Sequence, residues 1–175
     1  MGNMKSVIGT SSVWVWEQWK LASRRSGAYI LYDTWTETNL TTDEGITHAL
    51  DVVFSDGAQK GTWYLALFND DYTPLAGDTY QSPGYTESAN YDEGARPTWQ
   101  EAGVVAKSIS NVANVAAFTM NTDETIYGGS LVSANTKADL LSGEILYCSS
   151  AFTAEKAVED DDILKVTATL SGQDV

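Results

Sequence analysis

Between Gly103 and Leu170 the chain is a succession of short apolar runs separated by Asn, Gly and Asp, and this punctuation constrains the fold more than any other feature. The runs are GVVAKSI (103–109), NVAAFTM (114–120), TIYGGSLVS (125–133), EILYCSSAF (144–152) and DILKVTATL (162–170). In the last, Leu164, Val166, Ala168 and Leu170 alternate with Ile163, Lys165, Thr167 and Thr169, the two-residue period of a half-buried strand. Two more strand candidates lie upstream, AYILYDTW (28–35) and TWYLALF (62–68). In the second, Trp63, Leu65 and Leu67 alternate with Tyr64, Ala66 and Phe68, so a strand buried on both faces is expected. Short strands with this spacing and punctuation predict a mainly β fold, a jelly-roll-like β-sandwich. Gly128-Gly129, inside a strand pattern, predicts a bulge or a close approach of backbone.

One short helix is expected, in NLTTDEGITHALDVVF (39–54). Ile46, Ala49, Leu50, Val53 and Phe54 make one apolar stripe at helical spacing. Thr41 and Glu44 have the capping-box spacing, Asp43 adds favourable charge at the N-terminus, and Gly57 follows the end. Residues 1–27 read as an N-terminal interaction arm, with the sandwich occupying 28–175. The arm carries Trp14, Trp16, Trp19, Arg24 and Arg25, and Trp and Arg are the side chains that most often anchor interfaces. On a helix Val13, Trp16, Trp19 and Lys20 would share a face, while the VWVW alternation permits a strand. Packing of the same residues on their own domain is the competing reading.

The segment from Asn69 to Thr98 has no clear period of either kind. It holds all three prolines of the chain, and six carboxylates face the single Arg96. A loop of this length inside one domain points to function or to a disordered insert. Its tyrosines, Tyr72, Tyr80, Tyr85 and Tyr91, supply large contact area at low entropic cost, which suits binding to a macromolecule. Together with Trp99 they would equally make a stacking platform for sugars.

The charge is lopsided, with 24 acidic and 10 basic residues and a net charge of −14. Such a surface repels phosphate backbones, so direct nucleic-acid binding is not expected. No segment approaches the length of an apolar membrane-spanning helix, and no secretory leader pattern opens the chain. The single cysteine, Cys148, excludes an internal disulfide and is expected as a buried small hydrophobe. The one histidine, His48, falls off the apolar stripe of the helix, so a histidine-rich zinc site or a Cys–His pair has little to build on. No phosphate-binding or nucleophile-elbow glycine pattern occurs. A glycosidase would need two opposed carboxylates, and nothing selects a pair. The run Glu159-Asp160-Asp161-Asp162 lacks calcium-loop spacing and is expected as a solvated turn. The chain therefore reads as a non-enzyme with no cofactor.

Three phrases, in order, carry a resemblance. TNLTTDEGITHALDVVF followed by GTWYLALF is similar to N-L-V/I/T-T-x-x-G-L/I before a strand containing W-Y-V/I/L-A/G-L-F. SISNVANVAAFTMN resembles S-N-x-A-x-x-x-F, and DDILKVTATLSG resembles a closing G-D-x-L-x-V-T-x-T-x-S with Asp161 in place of the glycine. These phrases resemble structural proteins of tailed bacteriophages over residues 38–172, leaving the first 35 residues outside. The resemblance implies a virion component, assembled in the host cytoplasm, and brings no catalytic residues with it. A capsid decoration or cement protein is the leading expectation, docking on the major capsid protein or another virion protein as a homo-oligomer or in repeated lattice copies. A neck, tail or fibre component is the first alternative and a glycan-binding module the second.

Overall fold

The computed structural model describes residues 12–172. The protein is a β-sandwich of two antiparallel sheets with, among the described residues, one helix. The first sheet is built on β1 (Val13–Ser23), β2 (Ala28–Thr38) and β11 (Ile163–Ser171), in the order β2-β1-β11. The far edge of β11 is shared by two short strands, β7 (Ser108–Ser110) and β8 (Ala116–Thr119). The second sheet has β3 (Leu40–Thr41), β10 (Leu146–Val158), β9 (Glu124–Val132), β4 (Trp63–Phe68) and β5 (Glu87–Ser88) in that order, with β6 (Thr98–Trp99) also paired to β4. Helix α1 (Asp43–Phe54) packs beside the start of β10.

The N-terminal region corrects the sequence-based division into an arm and a domain. Residues 13–23 are a strand, not a helix, and β1 lies between β2 and β11 inside the first sheet. Trp14 and Trp16 are fully buried in the core, opposite Ala168 and Val166 of β11. The alternation of VWVW decides the conformation, because it sends both indoles to the inner face and Val13 and Val15 outward. Full burial of an indole outweighs any local helical preference, since removing such a side chain from a core costs about 3–5 kcal/mol. Residues 1–11 of the expected arm lie outside the described residues.

The glycine pair in β9 is a close approach on both faces. A Cβ at Gly129 would stand 2.7 Å from Cη2 of Trp16 and 2.9 Å from the Ala66 carbonyl oxygen. A Cβ at Gly128 would collide with the Phe68 ring on the opposite face. The irregularity itself lies in the partner strand, where the register slips between Ala151 and Lys156. Phe152, in that slip, packs edge-on against Trp16 and Trp35 at 4.9 and 5.2 Å between centroids.

β4 is buried on both faces, as its two apolar sets require. Its inner residues Leu65 and Leu67 join the sandwich core. Its outer residues Ala66 and Phe68 are covered by the long segment after it, through Tyr80 and Tyr85. Cys148 is buried, as expected.

Elsewhere the boundaries move. Residues 103–107 do not extend as a strand; Ala106 and Lys107 turn through positive φ, and only Ser108–Ser110 pair. The helix begins at Asp43 with Thr42, not Thr41, as its cap, and Gly45 N–H donates to the Thr42 hydroxyl at 3.0 Å. Glu44 does not close a capping box. Its Oε2 accepts from Tyr80 N at 2.9 Å and Leu146 N at 2.7 Å, tying the helix start to the 69–98 segment and to the first residue of β10. In the turn before β11, Asp162 is buried rather than solvated. Its carboxylate accepts from Gln18 Nε2 at 2.9 Å and from Glu159 N at 3.0 Å, which fastens the turn to β1.

The substitution Gly129→Ala is expected to lower unfolding free energy by about 1–3 kcal/mol, because a rigid indole and a backbone carbonyl must both retreat. Gly61→Ala, where nothing lies within 4 Å of the added carbon, should stay within about 0.5 kcal/mol of the parent. Urea titrations of the pair read the difference.

Candidate functional site

The structure separates the nine residues singled out in the sequence. Trp14 and Trp16 are core, as described above. Trp19 sits half-buried on the outer face of the first sheet, where its Nε1 donates to Glu17 at 2.8 Å and Lys165 lies 4.3 Å from its ring. Arg24 and Arg25 lie exposed in the turn between β1 and β2. Tyr80 and Tyr91 are buried, and Tyr72 and Tyr85 are half-buried. Trp99 is buried as well, and its Nε1 donates to the Ala168 carbonyl at 3.0 Å. Of the expected tyrosine contact surface, or sugar platform, Tyr80, Tyr91 and Trp99 are buried, and Tyr72 and Tyr85 keep partial exposure. Its tyrosines pack the segment onto the sandwich instead.

Arg96 is the reason this segment is ordered. Its Nε and Nη2 donate to the two carboxylate oxygens of Glu87 at 2.8 and 2.5 Å, a paired fork. Its Nη1 donates to the Tyr80 hydroxyl at 2.7 Å and to the Ala134 carbonyl at 2.8 Å, and its Nη2 also reaches the Asp139 carbonyl at 3.3 Å. All five donors of the guanidinium are therefore used. Burial works against its charge, but the Glu87 carboxylate outweighs burial and holds the group protonated. Around it lies a cavity of about 230 Å³, lined by Tyr80, Tyr85, Val132, Leu140 and Leu146. The cation at its wall is fully spent on the protein itself, so the cavity offers a ligand apolar contact and no free cation. Burial pushes the Tyr85 phenol up to about 12 and the Tyr91 phenol higher still.

The surface that does remain open is the end of the β1–β2 hairpin. β1 pairs with β11 only as far as Trp19, and beyond that the hairpin continues as a two-stranded ribbon closed at Ser23 and Ala28. Its base is held by Lys20, whose Nζ donates to Glu159 at 2.9 Å and lies 4.7 Å from the Tyr32 ring. That hydrogen bond raises the lysine above its ordinary pKa. Arg24 reaches Asp161 at 3.4 Å across solvent, and Arg25 has no partner among the described residues. Beside these cations Ile30, Leu31 and Tyr32 are exposed together. The register slips between Gln18 and Trp19, so Leu31 pairs with Trp19 and Tyr32 has no partner in β1. Three consecutive apolar residues are then exposed on a strand that, among the described residues, has no neighbour on its other edge. The sequence reads AYILYDTW as a strand without saying which of its faces is covered. Only the position of β2 at the sheet edge makes this stretch a surface.

A second exposed apolar surface belongs to α1. The apolar stripe read from the sequence is only partly covered. Gly45 alone of the helix is buried, closely set against the Tyr147 backbone, while Leu50, Val53 and Phe54 remain exposed. With Ile46, Ala49 and Tyr147 they line an apolar groove of about 270 Å³. Among the described residues no cluster of three or more His, Cys, Asp or Glu is placed to hold a metal, and no helix is long and apolar enough to cross a membrane.

No protein-family model matches this chain, and no curated protein matches it in sequence.

Replacing Arg96 by Met should cost about 3–5 kcal/mol, because Glu87 is left as an uncompensated buried charge. Arg24→Met should change stability by no more than about 0.5 kcal/mol. Thermal unfolding monitored by tryptophan fluorescence distinguishes them. A second expectation concerns Cys148, whose thiol burial pushes up to about 12 from an ordinary 9.0. It should resist a thiol reagent at pH 8 until denaturant is added. The unfolded thiol ionises first as pH rises, so stability from this group is full below about pH 9 and declines from there toward pH 12. A pH series of urea midpoints shows the decline.

Proposed function

We propose that this protein is a non-enzymatic structural component of a tailed-bacteriophage virion, acting as a capsid decoration or cement protein that docks on the major capsid protein. The observation that carries the reading is the hairpin end, an exposed apolar and cationic surface on an otherwise acidic, rigid sandwich. Ile30, Leu31 and Tyr32 provide contact area, and Arg24 and Arg25 provide orientation. The ordered phrases in residues 38–172 support the same reading from the sequence side. A net charge of −14 suits an outward position, away from packaged nucleic acid. Repetition of one modest contact over a lattice supplies avidity without a large interface in each copy.

The neck, tail or fibre alternative uses the same surface in fewer copies. Exposed contact surfaces at both ends of the molecule favour it as a second reading, since such subunits also build rings. Quantitative mass spectrometry of purified particles separates the two. Copy numbers on the scale of the capsid subunits are expected for decoration, and about a dozen or fewer place the protein in a neck or tail ring. Absence from particles overturns the virion reading.

A further inference from the structure

We propose that the apolar groove along α1 is the seat of residues 1–11 of the same chain, which lay Met4, Val7 and Ile8 into it. The inference stands apart from the assembly reading above, and it leaves the hairpin end as the surface open to a partner.

The point where the described chain begins puts this segment beside the groove. Ser12 is buried, and its carbonyl accepts from Asn39 N at 3.3 Å, which carries the pairing of Val13 with Thr38 one residue further. Asn39 stands two residues before Thr41, and Thr41 lines the groove. Two residues of extended chain span about 7 Å. β1 and β2 are antiparallel, so the chain that precedes Ser12 sets out in the direction in which the chain after Thr38 runs toward the helix. Reach is sufficient. α1 has 12 residues, a length of about 18 Å at about 1.5 Å per residue. Residues 1–11, fully extended, cover about 36 Å at about 3.3 Å per residue. The segment can therefore follow the groove from Ile46 to Phe54 with residues left over for a bend.

The sequence of the segment, MGNMKSVIGTS, suits that seat. Val7 and Ile8 are compact apolar groups, and the unbranched Met4 side chain adapts to an irregular apolar surface. Gly9 lets the backbone turn from β1 onto the helix. The segment holds one cation, Lys5, and no carboxylate, so charge does not oppose its approach to a protein of net charge −14. The groove has the matching need. Ile46, Leu50, Val53, Phe54 and Tyr147 line it, and the rest of the described chain leaves Val53 67% and Phe54 76% exposed. The tether is what selects this occupant. A segment anchored at Ser12 meets the groove at an effective concentration on the order of millimolar, so a modest apolar contact holds it there, and a partner arriving from solution has to compete with it.

The test uses the full chain with a nitroxide spin label on the variant Met4→Cys. Cys148 is buried and does not compete for the reagent. In isotope-labelled protein the backbone amide signals of residues 46–54 and of Tyr147 should be lost to paramagnetic broadening, while those of the turn between β1 and β2 remain. Val7→Asp/Ile8→Asp in the segment, or Phe54→Asp in the groove, should each restore most of the lost signals. Phe54 is exposed, a melting curve checks that each variant is folded, and Val53→Asp serves as a second groove variant. Isotope-labelled chain without the nitroxide, mixed with unenriched chain that carries it, should keep its helix signals, because each segment sits on its own copy. Helix signals that survive the label, a loss that neither set of variants reverses, or broadening that passes between copies in the mixture overturns the proposal. None of these results alters the particle copy number, and absence from particles would leave the docking result standing.

Discussion

The sandwich depends on the placement of one indole. Trp16 enters the core from β1, lies parallel to Trp35 at 6.3 Å, and rests on the bare backbone of Gly129 across the interior. The slip in β10 brings Phe152 edge-on against both rings. Each of these features requires the others. A side chain at position 129 would lift the indole, and an unbroken β10 would not turn Phe152 toward it. Through this contact the first strand of the chain joins the two sheets, although Trp16 is more than a hundred residues from its partners in β9 and β10.

The second organising constraint is the two-sided burial of β4. A strand apolar on both faces needs a cover beyond the sandwich partner, and the chain supplies it with the segment that follows. Tyr80 and Tyr85 close over Ala66 and Phe68, and the Arg96–Glu87 pair locks the cover to the 133–145 loop. A buried ion pair is not a large source of net stability, but loss of either partner is costly. That asymmetry fixes one arrangement of an otherwise irregular segment.

Much of this was legible in the sequence, and the misreadings have physical causes. The β class, the alternation in β11, the double burial of β4, the close approach at the glycine pair and the burial of Cys148 all follow from local patterns. The segment 69–98 looked like a binding loop because aromatic residues and irregular backbone mark contact surfaces and packed covers alike. The clue against it was the apolar outer face of β4, which had to be covered by something. Trp14 and Trp16 looked like interface anchors because an indole in a core and an indole at an interface bury against the same kinds of partner. Edge position is a property of topology, so the exposed run Ile30-Leu31-Tyr32 could not be told from a core strand. The helix stripe has the same limit, since amphipathicity reveals an apolar face without saying which surface meets it.

What emerges is an acidic sandwich with exposed apolar side chains on its first hairpin and on its helix. Its unity as one folded body rests on β1 belonging to the core. Native-state hydrogen exchange of the full chain tests that claim most directly. The backbone amides of β1 from Trp14 to Trp19 should exchange with the slowest class, alongside those of β11, and open only in global unfolding. Rapid exchange along β1 while β9 and β10 remain protected would contradict the account and return the N-terminal segment to the status of a separable arm.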